Sequence, residues 1–120
     1  MEKQLVINIL EVVESAHCTS SEDGQKVYQL IQKALREGKR ITLSFKNIED
    51  LTSAFLNSAI GQLYNEFSDL DIKDHIAIAD ASQDDLILLK RVVNRAKEFF
   101  KNPDRFKKTT SDMLGDDDER

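Results

Sequence analysis

Ile41-Thr42-Leu43-Ser44-Phe45-Lys46-Asn47-Ile48-Glu49-Asp50-Leu51-Thr52-Ser53-Ala54-Phe55-Leu56-Asn57-Ser58-Ala59-Ile60-Gly61-Gln62-Leu63-Tyr64 changes period once, and that change decides the fold. Ile41, Leu43 and Phe45 alternate with Thr42 and Ser44, the two-residue period of a strand. After a short turn, Lys46–Asp50, the apolar positions move to helical spacing. Phe55, Leu56, Ala59, Ile60, Leu63 and Phe67 line one face of a helix that runs to about Phe67. Thr52 or Ser53 supplies the N-cap, since a hydroxyl there can accept from an unpaired first-turn N–H. Gly61 sits inside this helix, at ~1 kcal/mol relative to Ala. That implies a close backbone approach, which we expect to be to the sheet.

On the N-terminal side, residues 4–13 (Gln-Leu-Val-Ile-Asn-Ile-Leu-Glu-Val-Val) are rich in β-branched side chains and predict a strand, half exposed, with a bend or hairpin near Leu10. A polar loop, Glu14–Ser20, leads into a helix from about Ser21 to Glu37. Ser20 or Ser21 caps it, Val27, Leu30, Ile31, Ala34 and Leu35 form its apolar stripe, and Gly38 follows as the C′ residue. On the C-terminal side, His75–Ala79 reads as a third strand. Ser82 then caps a helix whose buried side carries Leu86, Leu89, Val93, Ala96 and Phe100, and Pro103 stops it. Residues 103–120 are polar with little to bury and predict a disordered tail. The order is β-α-β-α-β-α, and strands joined through helices must run parallel. The expected fold is an α/β domain over residues 1–102: a small sandwich of three to four mostly parallel strands, with helices packed mainly on one face.

The quoted segment resembles the centre of STAS domains, found in anti-sigma factor antagonists and sulphate transporter tails. There a strand runs into a serine-bearing helix start. The segment is more similar still to a less characterised STAS-like family with a Thr-Ser-x-Phe start and a Gly-x-Leu-Tyr-like stretch, here Thr52-Ser53-Ala54-Phe55 and Gly61-Gln62-Leu63-Tyr64. The resemblance implies a STAS-like fold and a non-catalytic regulatory module that binds a protein, such as a histidine-kinase-type ATPase or another regulator. It places Ser53 at the position such a kinase phosphorylates, with Thr52, Ser53 and Asn57 on the docking surface. Three positions depart from the antagonist pattern. Thr52 stands where Asp is usual, Ser44 where the strand carries an acidic residue, and Phe55 where a small residue follows the serines. Phe55 is expected to crowd the loop.

Composition narrows the other readings. The formal net charge is -5 and the basic residues form pairs rather than a stripe, so nucleic acid is not an expected partner. No apolar run approaches the ~20 residues of a membrane span, and no secretory signal is legible at the N-terminus. A single cysteine, Cys18, suits a reducing compartment, so a cytoplasmic location is expected. Cys18 also opens a second functional class, a small cysteine-dependent enzyme. The arginine such a loop needs six residues later is Gly24 here, and Glu22 and Asp23 would repel an anion. His17, Cys18 and His75 lack metal-ligand spacing, and no phosphate-binding or dinucleotide glycine pattern is present, so no metal or cofactor is expected. The carboxylates of Asp69–Asp74 are read as turn residues. A third class remains: a sensor of an anion or nucleotide at the carboxyl ends of the strands, between loops Glu14–Ser21 and Lys46–Thr52.

Overall fold

The computed structural model describes residues 4–101. The proposed tail 103–120, with Pro103, lies outside them. Strands β1 (Gln4–Asn8), β3 (Arg40–Ser44) and β5 (Ile76–Ala79) form a parallel sheet in the order β1-β3-β5. A second, two-residue parallel pair joins β2 (His17–Cys18) to β4 (Asp50–Leu51). Helix α2 (Ser21–Arg36) connects β2 to β3. A helical run through α3 (Ser53–Leu56), a π-helical turn (Asn57–Gly61) and α4 (Leu63–Glu66) follows β4. Helix α5 (Asp69–His75) precedes β5, and α6 (Gln83–Lys101) follows it.

Strand alternation sorts the sheet into an inner and an outer face. Register pairs Ile7 with Leu43 and Leu43 with Ile78, and Ile7 and Leu43 are buried. The neighbouring row, Val6–Thr42–Ala77, points the other way, and Val6 is 67% exposed. The helical layer of α2, α3 with its π turn, and α6 packs on itself, and the core it shares with the sheet lies on one side. The expected α/β architecture, with parallel strands and helices mainly on one face, is what the chain adopts.

The first strand is shorter than its β-branched composition predicts. It ends at Asn8, whose side-chain oxygen accepts from the Glu11 N–H at 3.1 Å and starts helix α1 (Ile9–Val13). An N-cap and two buried apolar residues four apart, Ile9 and Val13, outweigh the intrinsic strand preference there. A second correction concerns 69–75. These residues form a helix rather than a turn, because Ser68 caps it by accepting from the Asp71 N–H and Ile72 anchors it in the core. His75 therefore ends a helix instead of opening a strand. In α2, Val27, Ile31 and Ala34 of the expected stripe are buried and Gly24 joins them, while Leu30 is 41% exposed. In α6 the buried side is Leu89, Val92 and Ala96, while Leu86 is 45% exposed.

The end of α2 follows the sequence reading closely. Gly38 has φ +74, its N–H donates to the Leu35 carbonyl, and the Lys39 N–H donates to the Ala34 carbonyl, both at 3.0 Å. This paired closure satisfies two of the helix's last carbonyls and needs a residue tolerant of positive φ. Between α2 and α4, Glu66 accepts from Gln32 at 2.6 Å and from Arg36 at 2.5 and 2.8 Å. Those donors hold the Glu66 carboxyl below its ordinary range.

Candidate functional site

The site is built where two helices start side by side. The β2–β4 pair sets their spacing, with Cys18 opposite Leu51 and His17 opposite Asp50. The His17 imidazole and the Asp50 carboxylate meet on the exposed side. The Thr52 N–H donates to the Cys18 carbonyl at 3.2 Å, which carries the pairing into the helix start. Ser20 caps α2 by accepting from the Asp23 N–H at 3.1 Å. Thr52 caps α3 by accepting from the Phe55 N–H at 3.2 Å, and its hydroxyl donates to the Thr19 carbonyl at 2.9 Å. The cap is therefore Thr52, and its hydroxyl is used as both donor and acceptor.

Ser53, next in sequence, is exposed, and its hydroxyl makes no hydrogen bond among the described residues. Asn57, one turn on, is exposed as well. Thr52, Ser53 and Asn57 thus lie on one short stretch of helix surface, with the first half-buried and the other two open to solvent.

Phe55 does not crowd this loop. It has no exposed surface and belongs to the core. Room for that turn comes from Gly24 on α2: a Cβ there would stand 2.5 Å from the Phe55 carbonyl oxygen and 2.8 Å from the Ser58 Cβ. Ser58 completes the junction by donating its hydroxyl to the Ser21 carbonyl at 2.7 Å. Gly61 approaches α6 rather than the sheet, since its nearest neighbours across the contact are Ala96 and Val92. The π turn between them leaves the Ser58 carbonyl to accept from the Gln62 side-chain amide at 2.7 Å. Such turns insert one residue into a helix and shift the face it presents.

Ser44 is buried at the end of β3, and its hydroxyl donates to the Asp80 carboxylate at 2.9 Å. The acidic group missing from the β3 position is thus contributed by the residue that follows β5. Sequence spacing offered no signal for this, because the two positions are brought together only by the β3–β5 register.

Cys18 is wholly buried, although it falls in the stretch read as the polar loop Glu14–Ser20. Burial, with the Asp23 carboxylate adding to it, pushes the thiol up to about 11. Both causes oppose the thiolate that nucleophilic chemistry needs. Since the folded value lies above that of a free thiol, stability is undiminished below the free-thiol pKa and falls as pH rises from there through about 11, where the unfolded chain has released the proton and the folded chain still holds it. We expect iodoacetamide to alkylate the folded chain at pH 8 at least about tenfold more slowly than the urea-unfolded chain. A rate profile that levels off near the ordinary thiol pKa, about 8.5, would show an accessible nucleophile instead.

The carboxyl edge of the sheet carries a groove bordered by Glu49, Asp50, Asp80, Asp84 and Asp85. That charge opposes the binding of an anion or nucleotide there. Among the described residues no cluster of three or more His, Cys, Asp or Glu is arranged to hold a metal, and no helix is long and apolar enough to cross a membrane.

No curated protein and no solved structure matches the chain. A family model does match, over residues 23–86, which run from the first turn of α2 through β3, the capped Thr52–Ser53 start and the strand β5 into the start of α6. With more than half of its length inside that match, the chain belongs to the family described as the STAS-like domain of unknown function.

Proposed function

We propose that this domain is a non-catalytic regulatory module that binds a protein partner through the surface around Thr52, Ser53 and Asn57, with Ser53 as its switch. The observation that supports the reading is the division of roles at the helix start. Thr52 does the capping, so Ser53 is left exposed with an uncommitted hydroxyl. A phosphoryl group on Ser53 would add about two negative charges at the surface. The core would be untouched, and the change would fall on whatever docks there. The partner class is a histidine-kinase-type ATPase, in keeping with the resemblance to anti-sigma factor antagonists. A sensor of anions at the sheet edge is the weaker reading, because of the carboxylates around that groove.

Pull-down of such an ATPase with the wild-type, Ser53→Ala and Ser53→Asp chains tests the switch. Wild type and Ser53→Ala should recover it equally, and Ser53→Asp should lose at least about tenfold, because a charge placed inside a docked surface is strongly unfavourable. Unchanged recovery by Ser53→Asp would sink the idea. Urea denaturation supplies the control. Thr52→Ala should lower stability by ~1 kcal/mol through the lost cap, while Ser53→Ala should stay within about 0.5 kcal/mol of wild type.

A further inference from the structure

Beside Asn57, a groove lies between the helical run and α6. Its floor is small: Gly61 has no side chain, and Ala96 is buried. One wall is formed by α6, where Arg95 is exposed and Phe99 is 44% exposed. The Phe99 ring is set edge-on against Phe100, with centroids 4.9 Å apart. Arg91 lies one turn before Arg95 on the same side of α6 and is also exposed. Neither guanidinium has an ion-pair partner among the described residues. Glu98, also on the rim, already has an interaction of its own.

Two uncommitted arginines one turn apart, beside an exposed ring, are a local cationic stripe on a chain of net charge -5. Charge of that sign in that place selects an acidic partner and fixes its orientation. A groove between two helices accepts a third through side chains spaced three or four residues apart. We infer that this groove receives an acidic amphipathic helix of the protein partner. One carboxylate sits on Arg95 and a second, one turn away, on Arg91. An apolar side chain lies over Gly61 against Phe99. The guanidinium fork matches a carboxylate in two parallel hydrogen bonds, which makes Arg the suited residue here. This inference rests on the docking reading of Asn57 and names what docks.

The test uses the full-length, isotope-labelled chain and a synthetic helical peptide bearing two Glu and one Leu at four-residue spacing, with a Lys-for-Glu peptide as its opposite. The acidic peptide should shift the amide resonances of Asn57, Gly61, Arg95 and Phe99 saturably, with a Kd at or below about 1 mM. The Lys peptide should not. An Arg91→Ala/Arg95→Ala chain should bind the acidic peptide at least about tenfold more weakly. Because both side chains are exposed, it should melt with the wild type. Absence of saturable shifts at these four residues, equal binding of the Lys peptide, or indifference to the arginine substitutions overturns the inference. The two proposals fail separately. A partner that responds to Ser53→Asp but ignores the arginine substitutions rejects the groove alone. Peptide shifts that persist while Ser53→Asp leaves partner recovery unchanged reject the switch alone.

Discussion

Phe55→Ala should lower the unfolding free energy by about 3–5 kcal/mol, the range for truncating a fully buried aromatic ring. Phe55 is among the largest side chains with no exposed surface, and it lies in the same residue run as the Thr52 cap. Its loss removes apolar burial and leaves a cavity that neighbours on α2 cannot fill, because Gly24 already places backbone against backbone at that point. A small domain has about 5–15 kcal/mol of stability in total, so the substitution would take a large fraction of it. Urea denaturation measures this directly. A loss below about 1 kcal/mol would mean the ring is not in the core. Phe55→Leu, which keeps most of the volume, should lose much less, about 1.5 kcal/mol. The comparison separates packing from any effect of the turn itself.

Gly24→Ala should also destabilise, although the residue lies inside a helix. Helix propensity alone favours Ala over Gly by about 1 kcal/mol. At this position the new Cβ would stand 2.5 Å from the Phe55 carbonyl oxygen and 3.2 Å from the Ala59 N. Both obstacles are backbone, and both belong to a run tied down by the Thr52 cap and the Ser58–Ser21 hydrogen bond. They can yield only if the two helices move apart. Overpacking typically costs about 1–3 kcal/mol, and an approach of 2.5 Å to backbone puts this site at the upper end, so against the propensity gain of about 1 kcal/mol we expect a net loss of about 2 kcal/mol and a larger one for Gly24→Val. Gly61→Ala is the contrast. The nearest atom there is the Asn57 side-chain oxygen at 3.3 Å, which can rotate away, and Ala96 is at 3.7 Å. That substitution should be neutral or should stabilise by up to about 1 kcal/mol. Denaturation midpoints that moved alike for the two glycines would contradict the helix crossing described above.

Both glycines bear on the proposed docking surface through geometry. The Gly24 crossing fixes where the α3 turn sits, and that turn presents Ser53 and Asn57. The Gly61 contact sets the separation of the helical run from α6, and with it the floor of the neighbouring groove.

The order and direction of β1, β3 and β5 and the helices α2, α3 and α6 between and after them were legible in the sequence, because each rests on a local period or a local cap; the β2–β4 pair, α1 and α5 were not. The Ile41–Ser44 alternation, the Thr52 hydroxyl, and Gly38 after α2 act within a few residues of themselves, and all three appear as read. Where a local preference competed with a cap, it lost. Ile9, Val12 and Val13 have strand-forming side chains, yet Asn8 turns them into a helix and two of them enter the core. Ser68 does the same for 69–75, a run whose carboxylates look like a turn.

The sequence by itself determined the α/β class, the strand-turn-helix around Thr52–Ser53 and the family to which it belongs. Periodicity and capping are short-range physics, written in residues a few positions apart. Tertiary structure decided which hydroxyl is free, since Thr52 is occupied partly by a carbonyl 33 residues away. It decided that Cys18 is core rather than loop, that Asp80 meets Ser44, and that Gly24 rather than Gly61 is the tight crossing. Each of these depends on which backbones pack side by side, and that is settled by the register of β2 with β4 and of β3 with β5, not by any neighbour in sequence.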